Sequence, residues 1–125
     1  MNKSIVITGA SSGIGAALAL RYARADTRLG LLGRNRERLM SVAERCIALG
    51  AQVQWAAIDV TAREEMADWL AGFDRESPID LVIANAGVIS GVAPGERIES
   101  EQDSRRIVET NVIGVLNTVH PVLPA

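Results

Sequence analysis

An α/β fold with a parallel sheet covered by helices on both faces is predicted by three observations. Four short apolar runs, at residues 5–7, 29–32, 53–58 and 81–84, alternate with longer stretches whose apolar residues recur at helical spacing. The runs are nearly all apolar, as expected of strands buried on both sides. A turn holding Gly9, Gly13 and Gly15 joins the first run to the first helical stretch.

The elements follow in order. Ile5, Val6 and Ile7 form a β-branched run that ends at Gly9, and Ile14, Leu18 and Tyr22 then recur at a spacing that predicts a helix. Residues 29–32 predict a second strand. From Asn35, the apolar positions Leu39, Val42, Ala43 and Cys46 predict a second helix that stops at Gly50. Residues 53–58 predict the third strand, and Met66, Trp69, Leu70 and Phe73 mark one face of the helix after it, ended by Ser77-Pro78. Residues 81–84 predict the fourth strand. A polar, glycine-containing loop over residues 88–100 leads to a last helix that begins near Glu101 and runs toward the end of the chain. Such repeats imply right-handed crossovers, and in these sheets ligands bind beyond the carboxyl ends of the strands, where strand order reverses.

With 125 residues, 48% of them hydrophobic, the chain is expected to form one domain spanning residues 1–125. Thirteen Lys and Arg against fifteen Asp and Glu give a net charge of -2. No overall positive field therefore gathers nucleic acid or an anionic membrane, and any anion site must be local. The lone Cys46 excludes an intrachain disulfide and a cysteine-rich metal site, reads as core and suits a reducing compartment; no metal is expected. Met1-Asn2-Lys3-Ser4 passes straight into an apolar run with no small-residue cleavage site, and no apolar stretch is long enough to cross a bilayer. A cytoplasmic protein without a signal peptide is expected.

Gly9, Gly13 and Gly15 stand where a glycine-rich turn binds phosphate, after a strand and at the opening of a helix. Glycines let the chain turn sharply and approach a pyrophosphate without a Cβ in the way, while free N–H groups at the helix start supply donors and positive potential. Ser11 and Ser12 add hydroxyls, and either could cap the helix. The plain alternative is an ordinary strand-to-helix turn. The spacing Gly-x-x-x-Gly-x-Gly differs from the commoner Gly-x-Gly-x-x-Gly, and Thr8-Gly9-Ala10-Ser11-Ser12-Gly13-Ile14-Gly15 resembles the short-chain dehydrogenase/reductase family. The resemblance continues through Asp59-Val60, Asn85-Ala86-Gly87 and Asn111 in the family's order and covers the whole chain. It implies a Rossmann-type doubly wound parallel sheet, truncated after about four strands and the helix following the fourth. It also implies a dinucleotide held at Gly9, Ser11, Ser12, Gly13, Ile14 and Gly15.

Dinucleotide enzymes that take NAD usually place an acid at the end of the second strand, where it binds the ribose 2′-hydroxyl. Gly33 occupies that place, and Arg34 follows it with a guanidinium that can pair with a 2′-phosphate, as in similar NADP-preferring family members. NADP is therefore expected over NAD, with Asn35 capping the next helix and Arg36 and Arg38 adding local positive charge. The alternative is that these arginines form a solvated helix start.

The resemblance further implies that the Asp59 carboxylate accepts a hydrogen bond from the adenine amine while the Val60 N–H reads a ring nitrogen; the alternative is Asp59 as a cap for the helix after Thr61. Asn85-Ala86-Gly87 resembles the segment that stabilises the central sheet and passes along the cofactor's ribose, against a bland polar strand exit. Asn111, a mediocre helix former inside a helix, resembles the Asn that holds a water of the family's proton relay. Its alternatives are an amide satisfied by its own helix or simply exposed. His120 has no acid or nucleophile at a readable spacing and is assigned no role.

Hydride transfer in the family depends on a tyrosine, a lysine four residues later and a serine. The sole tyrosine, Tyr22, is expected in the first helix beside the cofactor-binding turns, Asp26 stands four residues on, and Lys3 is the only lysine. The chain by itself therefore lacks a general acid for the chemical step. In the last helix Ile107, Val108, Val112, Ile113, Val115, Leu116, Val119, Val122 and Leu123 spread over more than one face, which predicts a cover from further residues or another subunit. A fourth strand left at the edge would be sticky, and a homo-oligomer is expected.

Two functions stand. One is an NADP-dependent oxidoreductase interconverting a small-molecule alcohol and carbonyl, this chain supplying the cofactor-binding half. The other is a non-catalytic dinucleotide-binding module acting as sensor or assembly partner. An open frame past Ala125 with a Ser and a Tyr-x-x-x-Lys supports the first, and a stop codon the second. A methyl-donor nucleotide on the same fold is disfavoured by Arg34, which would meet no phosphate.

Overall fold

The aliphatic runs become the centre of a four-stranded parallel sheet in the computed structural model, which describes residues 3–88 and 94–124. The strands are β1 (Lys3–Thr8), β2 (Thr27–Gly33), β3 (Gln52–Ala57) and β4 (Leu81–Ile83), in the spatial order β3-β2-β1-β4. The chain steps outward from β1 through β2 to β3 and then returns to the far side of β1, so strand order reverses between β1 and β4. Ile5 pairs with Leu29 on one side and Leu81 on the other. This is the predicted Rossmann-type, doubly wound arrangement.

Alternate strand residues feed two cores, one on each face of the sheet. Ile5, Ile7, Leu29 and Leu31 pack with Ala19 of α1 (Gly13–Tyr22) and with Leu39, Val42, Ala43 and Cys46 of α2 (Arg36–Ala48). Burial pushes the Cys46 thiol above its ordinary pKa, with Arg45 opposing, as befits a core residue. On the other face Val6 and Leu32 pack with Met66, Leu70 and Phe73 of α3 (Arg63–Glu76). Gly30 is there for space: a Cβ would stand 2.6 Å from Trp69 Cη2, and the Trp69 and Phe73 rings stack with centroids 5.0 Å apart.

Three expectations change. No residue of β3 is fully buried and Gln52 and Gln54 are exposed, because β3 is an edge strand. β4 stops at Ile83, one residue early, because the Asn85 N–H turns back to the Ile83 carbonyl at 3.0 Å. The last helix is not uniform: α4 (Glu101–Val108) passes through a π-helical turn (Glu109–Ile113) into α5 (Gly114–Val119) and a 3-10 turn (His120–Val122). Apolar residues on several faces fit either periodicity, so the sequence pattern could not separate them. Of the loop predicted over residues 88–100, residues 89–93 lie outside the described residues. Among those described, no helix is long and apolar enough to cross a membrane, and no cluster of His, Cys, Asp or Glu could hold a metal ion.

The amino ends of the strands are closed by polar contacts. Buried Arg28 lies over the Phe73 ring, 3.6 Å from its centroid, and donates to the carbonyls of Phe73 (2.8 Å) and Ser77 (3.2 Å) at the end of α3. It also donates to Ser4 Oγ (3.4 Å) and the Glu76 carboxylate (3.0 Å). Beside it the Ser4 N–H donates to the Asp80 carboxylate at 2.8 Å.

Candidate functional site

At the opposite, carboxyl ends of the strands lies a cleft of about 550 Å³. Segments after all four strands line it: Gly9, Ser11 and Ser12 after β1; Arg34 and, within α2, Arg38 after β2; Asp59 and Val60 after β3; Asn85, Ala86 and Gly87 after β4. Residues far apart in sequence thus meet at the point where strand order reverses, as the topology requires.

Thr8 builds the floor. It is 1% exposed, and its Oγ1 accepts the N–H groups of both Asn85 and Ala86 at 3.0 Å. Asn85 Nδ2 donates in turn to the Gly9 carbonyl at 3.4 Å, so the glycine turn and the β4 exit form one unit. Packing explains two of the glycines. A Cβ at Gly9 would stand 2.9 Å from Ala86 Cα, and one at Gly15 would overlap the Gly9 carbonyl oxygen. Only Gly13 of the three looks onto open space, at φ 57° with nothing within 4 Å of a Cβ position. Gly13 thus leaves space open beside the helix start, whereas Gly9 and Gly15 are required by the protein's own packing.

The expected serine cap is not made. Ser12 holds the N-cap position of α1 with its hydroxyl unbonded to the helix, and Ser11 lies against Gly33, where a Cβ would come 3.2 Å from Ser11 Oγ. The first-turn N–H groups of Gly13, Ile14 and Gly15 accordingly have no acceptor among the described residues. Ile14 is 71% exposed beside them. Unbonded N–H groups at a helix start carry positive potential that favours anions.

Positive charge gathers at the end of β2. Arg34 and Arg38 are exposed and form no ion pair among the described residues. Asn35 caps α2 as predicted, its Oδ1 accepting the Arg38 N–H at 3.0 Å. Arg36 does not join them, because its guanidinium lies over the Trp55 ring, 5.1 Å from the centroid.

Asp59 does not cap the following helix, whose N-cap is Ala62. Its Oδ1 accepts the Thr61 N–H (2.9 Å) and hydroxyl (2.8 Å) in a tight turn, which leaves Oδ2 without a partner among the described residues. Val60 is buried, and its carbonyl accepts a hydrogen bond from Asn117 Nδ2 at 3.0 Å.

Asn111 lies outside the cleft lining, in the π-helical turn. Both ends of its amide hold Val88: Nδ2 donates to the carbonyl (2.9 Å) and Oδ1 accepts the N–H (2.8 Å). The amide is satisfied across the fold and not within its own helix. Tyr22 is also displaced from expectation. It ends α1 on the side away from the glycine turn, about 14 Å along the axis at roughly 1.5 Å per residue.

Sequence reasoning gave no site role to Val88, Thr110 or Asn117, and placed Thr8 only as the start of the turn motif. Thr110 and Val88 line the cleft. Arg38 counted only as local charge, yet it lines the cleft four residues on from Arg34, a spacing that was available as a signal.

A family model described as short chain dehydrogenase matches residues 3–125. Serine 3-dehydrogenase of Rhizobium radiobacter is 36% identical over 125 residues, which cover 99% of this chain and 49% of that protein. Among solved structures, alcohol dehydrogenase from the archaeon Thermococcus sibiricus, complexed with 5-hydroxy-NADP, aligns at TM-score 0.86 and 30% identity, covering 98% of this chain and 52% of that one. NAD+-bound xylitol dehydrogenase aligns at TM-score 0.86 and 28% identity, covering 96% and 46%. The chain spans about half the length of the curated relatives it matches.

Proposed function

The chain belongs to the short chain dehydrogenase family, and on that premise we propose that it is the cofactor-binding half of an NADP-dependent oxidoreductase interconverting a small-molecule alcohol and carbonyl. The observation that carries the reading is an uncapped helix start, whose N-cap Ser12 lines the cleft, together with two guanidinium groups in that cleft that have no counter-ion among the described residues. A pyrophosphate suits the first and a 2′-phosphate the second.

The residues fit such a cofactor. Gly13 leaves open a space that a side chain would enter, and the N–H groups of Gly13, Ile14 and Gly15, with the hydroxyls of Ser11 and Ser12, supply donors. Gly33 supports NADP over NAD: no carboxylate is present there to meet a ribose 2′-hydroxyl, and a side chain would press on Ser11. Asp59 Oδ2 suits the adenine amine and the Val60 N–H a ring nitrogen, while Asn85, Ala86 and Gly87 flank the ribose. When bound, the nicotinamide supplies or accepts the hydride. Asn111 belongs to the proton relay in this reading, with its side-chain amide held by Val88.

The family's tyrosine–lysine pair is not within these 125 residues, whose sole tyrosine is Tyr22 and sole lysine Lys3. The second reading is a dinucleotide-binding module acting as sensor or assembly partner. A cytoplasmic homo-oligomer belongs to the first reading, supported by the exposed Val108, Val112 and Leu116 on the last helix. Titration with NADPH and NADH tests the cofactor: tighter NADPH binding is expected, and tighter NADH binding, or binding of neither, overturns it. Oxidation of NADPH by carbonyl compounds in the full-length protein separates the enzyme from the module.

A further inference from the structure

The segment after β3 continues an edge strand, with no strand beyond it among the described residues. The last helix supports it. Asn117 of α5, 8% exposed, donates from Nδ2 to the Val60 carbonyl at 3.0 Å. Gly114 lies so close that a Cβ there would stand 2.5 Å from Val60 Cγ2, and the Thr118 hydroxyl donates to the Gly114 carbonyl at 2.7 Å.

One peptide unit joins these contacts to the site. The carbonyl that Asn117 holds belongs to the Val60–Thr61 peptide, and the N–H of that same peptide donates to Asp59 Oδ1 at 2.9 Å. In a planar trans peptide the C=O and N–H point in opposite directions, so fixing one end aims the other. Hydrogen bonds in series through one amide also polarise each other, which strengthens the N–H grip on the carboxylate.

From this geometry we infer that Asn117 is a positioning residue for the adenine subsite, holding the Val60–Thr61 peptide so that the Asp59 carboxylate faces the base. The inference rests on the adenine reading of Asp59 and Val60. It predicts that Asn117, which does not line the cleft, governs discrimination between bases more than overall cofactor affinity.

The test compares NADPH with its deamino analogue, in which hypoxanthine replaces adenine: a carbonyl stands where the exocyclic amine was, and N1 carries a proton. Both are titrated by nicotinamide fluorescence. The wild-type chain is expected to prefer NADPH at least about tenfold, since the analogue loses the amine that faces the Asp59 carboxylate and alters the ring nitrogen that faces the Val60 N–H. In Asn117→Leu that preference falls to about twofold, while affinity for the deamino analogue changes by less than about twofold. Asn117→Asp, assayed above the carboxyl's titration, keeps the side chain's shape without its donor and repeats the test if the leucine variant does not fold. A preference that stays at the wild-type ratio, or two affinities that fall together, overturns the positioning role alone. A wild-type chain that binds neither nucleotide, or binds both equally, overturns the adenine reading and the positioning role with it.

Discussion

The two ends of the sheet draw on the same kinds of residue and finish them in opposite ways. At the amino ends polar groups meet protein partners: Arg28 has four acceptors and a ring, and the Ser4 N–H has Asp80. At the carboxyl ends the first-turn N–H groups of α1 and the guanidinium groups of Arg34 and Arg38 have no such partners among the described residues. Polarity is common to both; unmet hydrogen-bonding capacity is not. A polar group saturated by the protein stabilises the fold, whereas one held open at a concave surface is available to a ligand.

Substitutions at the two ends should therefore separate, amino-end changes altering stability and carboxyl-end changes altering binding. Gly15 is the sharpest challenge to that division, since it lies at the open end but is packed like the closed one. Gly15→Ala should cost about 3 kcal/mol through the clash with the Gly9 carbonyl. Gly13→Ala should cost only about 1 kcal/mol for its positive φ. Urea midpoints measure both, and equal losses would mean that packing is not the reason for Gly15.

Arg28→Met should come next, at about 2 kcal/mol, because it strips the Phe73 and Ser77 carbonyls of a donor in a side chain only 9% exposed. NADPH affinity should not move. Arg34→Ser is the mirror image: stability within about 0.5 kcal/mol of wild type, NADPH weakened about tenfold and NADH unaffected. A variant at either position that shifts both quantities alike would dissolve the contrast.

The smallest effect concerns pH. Hydrogen bonds from Gln54 and then Arg28 hold the Glu76 carboxyl below its ordinary 4.5. Its folded pKa lies below its unfolded one, so the stabilisation is present above 4.5 and is lost as pH falls through the lower, folded value. Glu76 is exposed, so the slope is shallow. Glu76→Gln should flatten the dependence of the urea midpoint on pH in that acid window, and an unchanged slope would count against the contact.

Sequence periodicity located the strands and the first three helices because each carries an apolar face of its own, as Leu39, Val42, Ala43 and Cys46 do in α2. The exposure of β3 was not legible, since edge position is a property of topology. Among site residues the motif positions in the turns after the strands do converge, yet the packing reason for Gly9 and Gly15 was not legible, because the groups that crowd them include Ala86 and Asn85 from the β4 exit. Thr8 entered only as the first residue of the turn motif, with no hint of its partners, and Asn117 carried no local signal at all. Their partners lie 77 and 57 residues away, at Asn85 and Val60, and only the closed sheet brings them into reach.

Amide chemical-shift mapping on addition of NADPH bears most directly on the difference between the two ends. Shifts concentrated at residues 11–15, Arg34, Val60 and Ala86, with Ser4, Arg28 and Ser77 unmoved, are the predicted result. Shifts centred on Arg28 and Ser77, or spread evenly over both ends of the sheet, would contradict it.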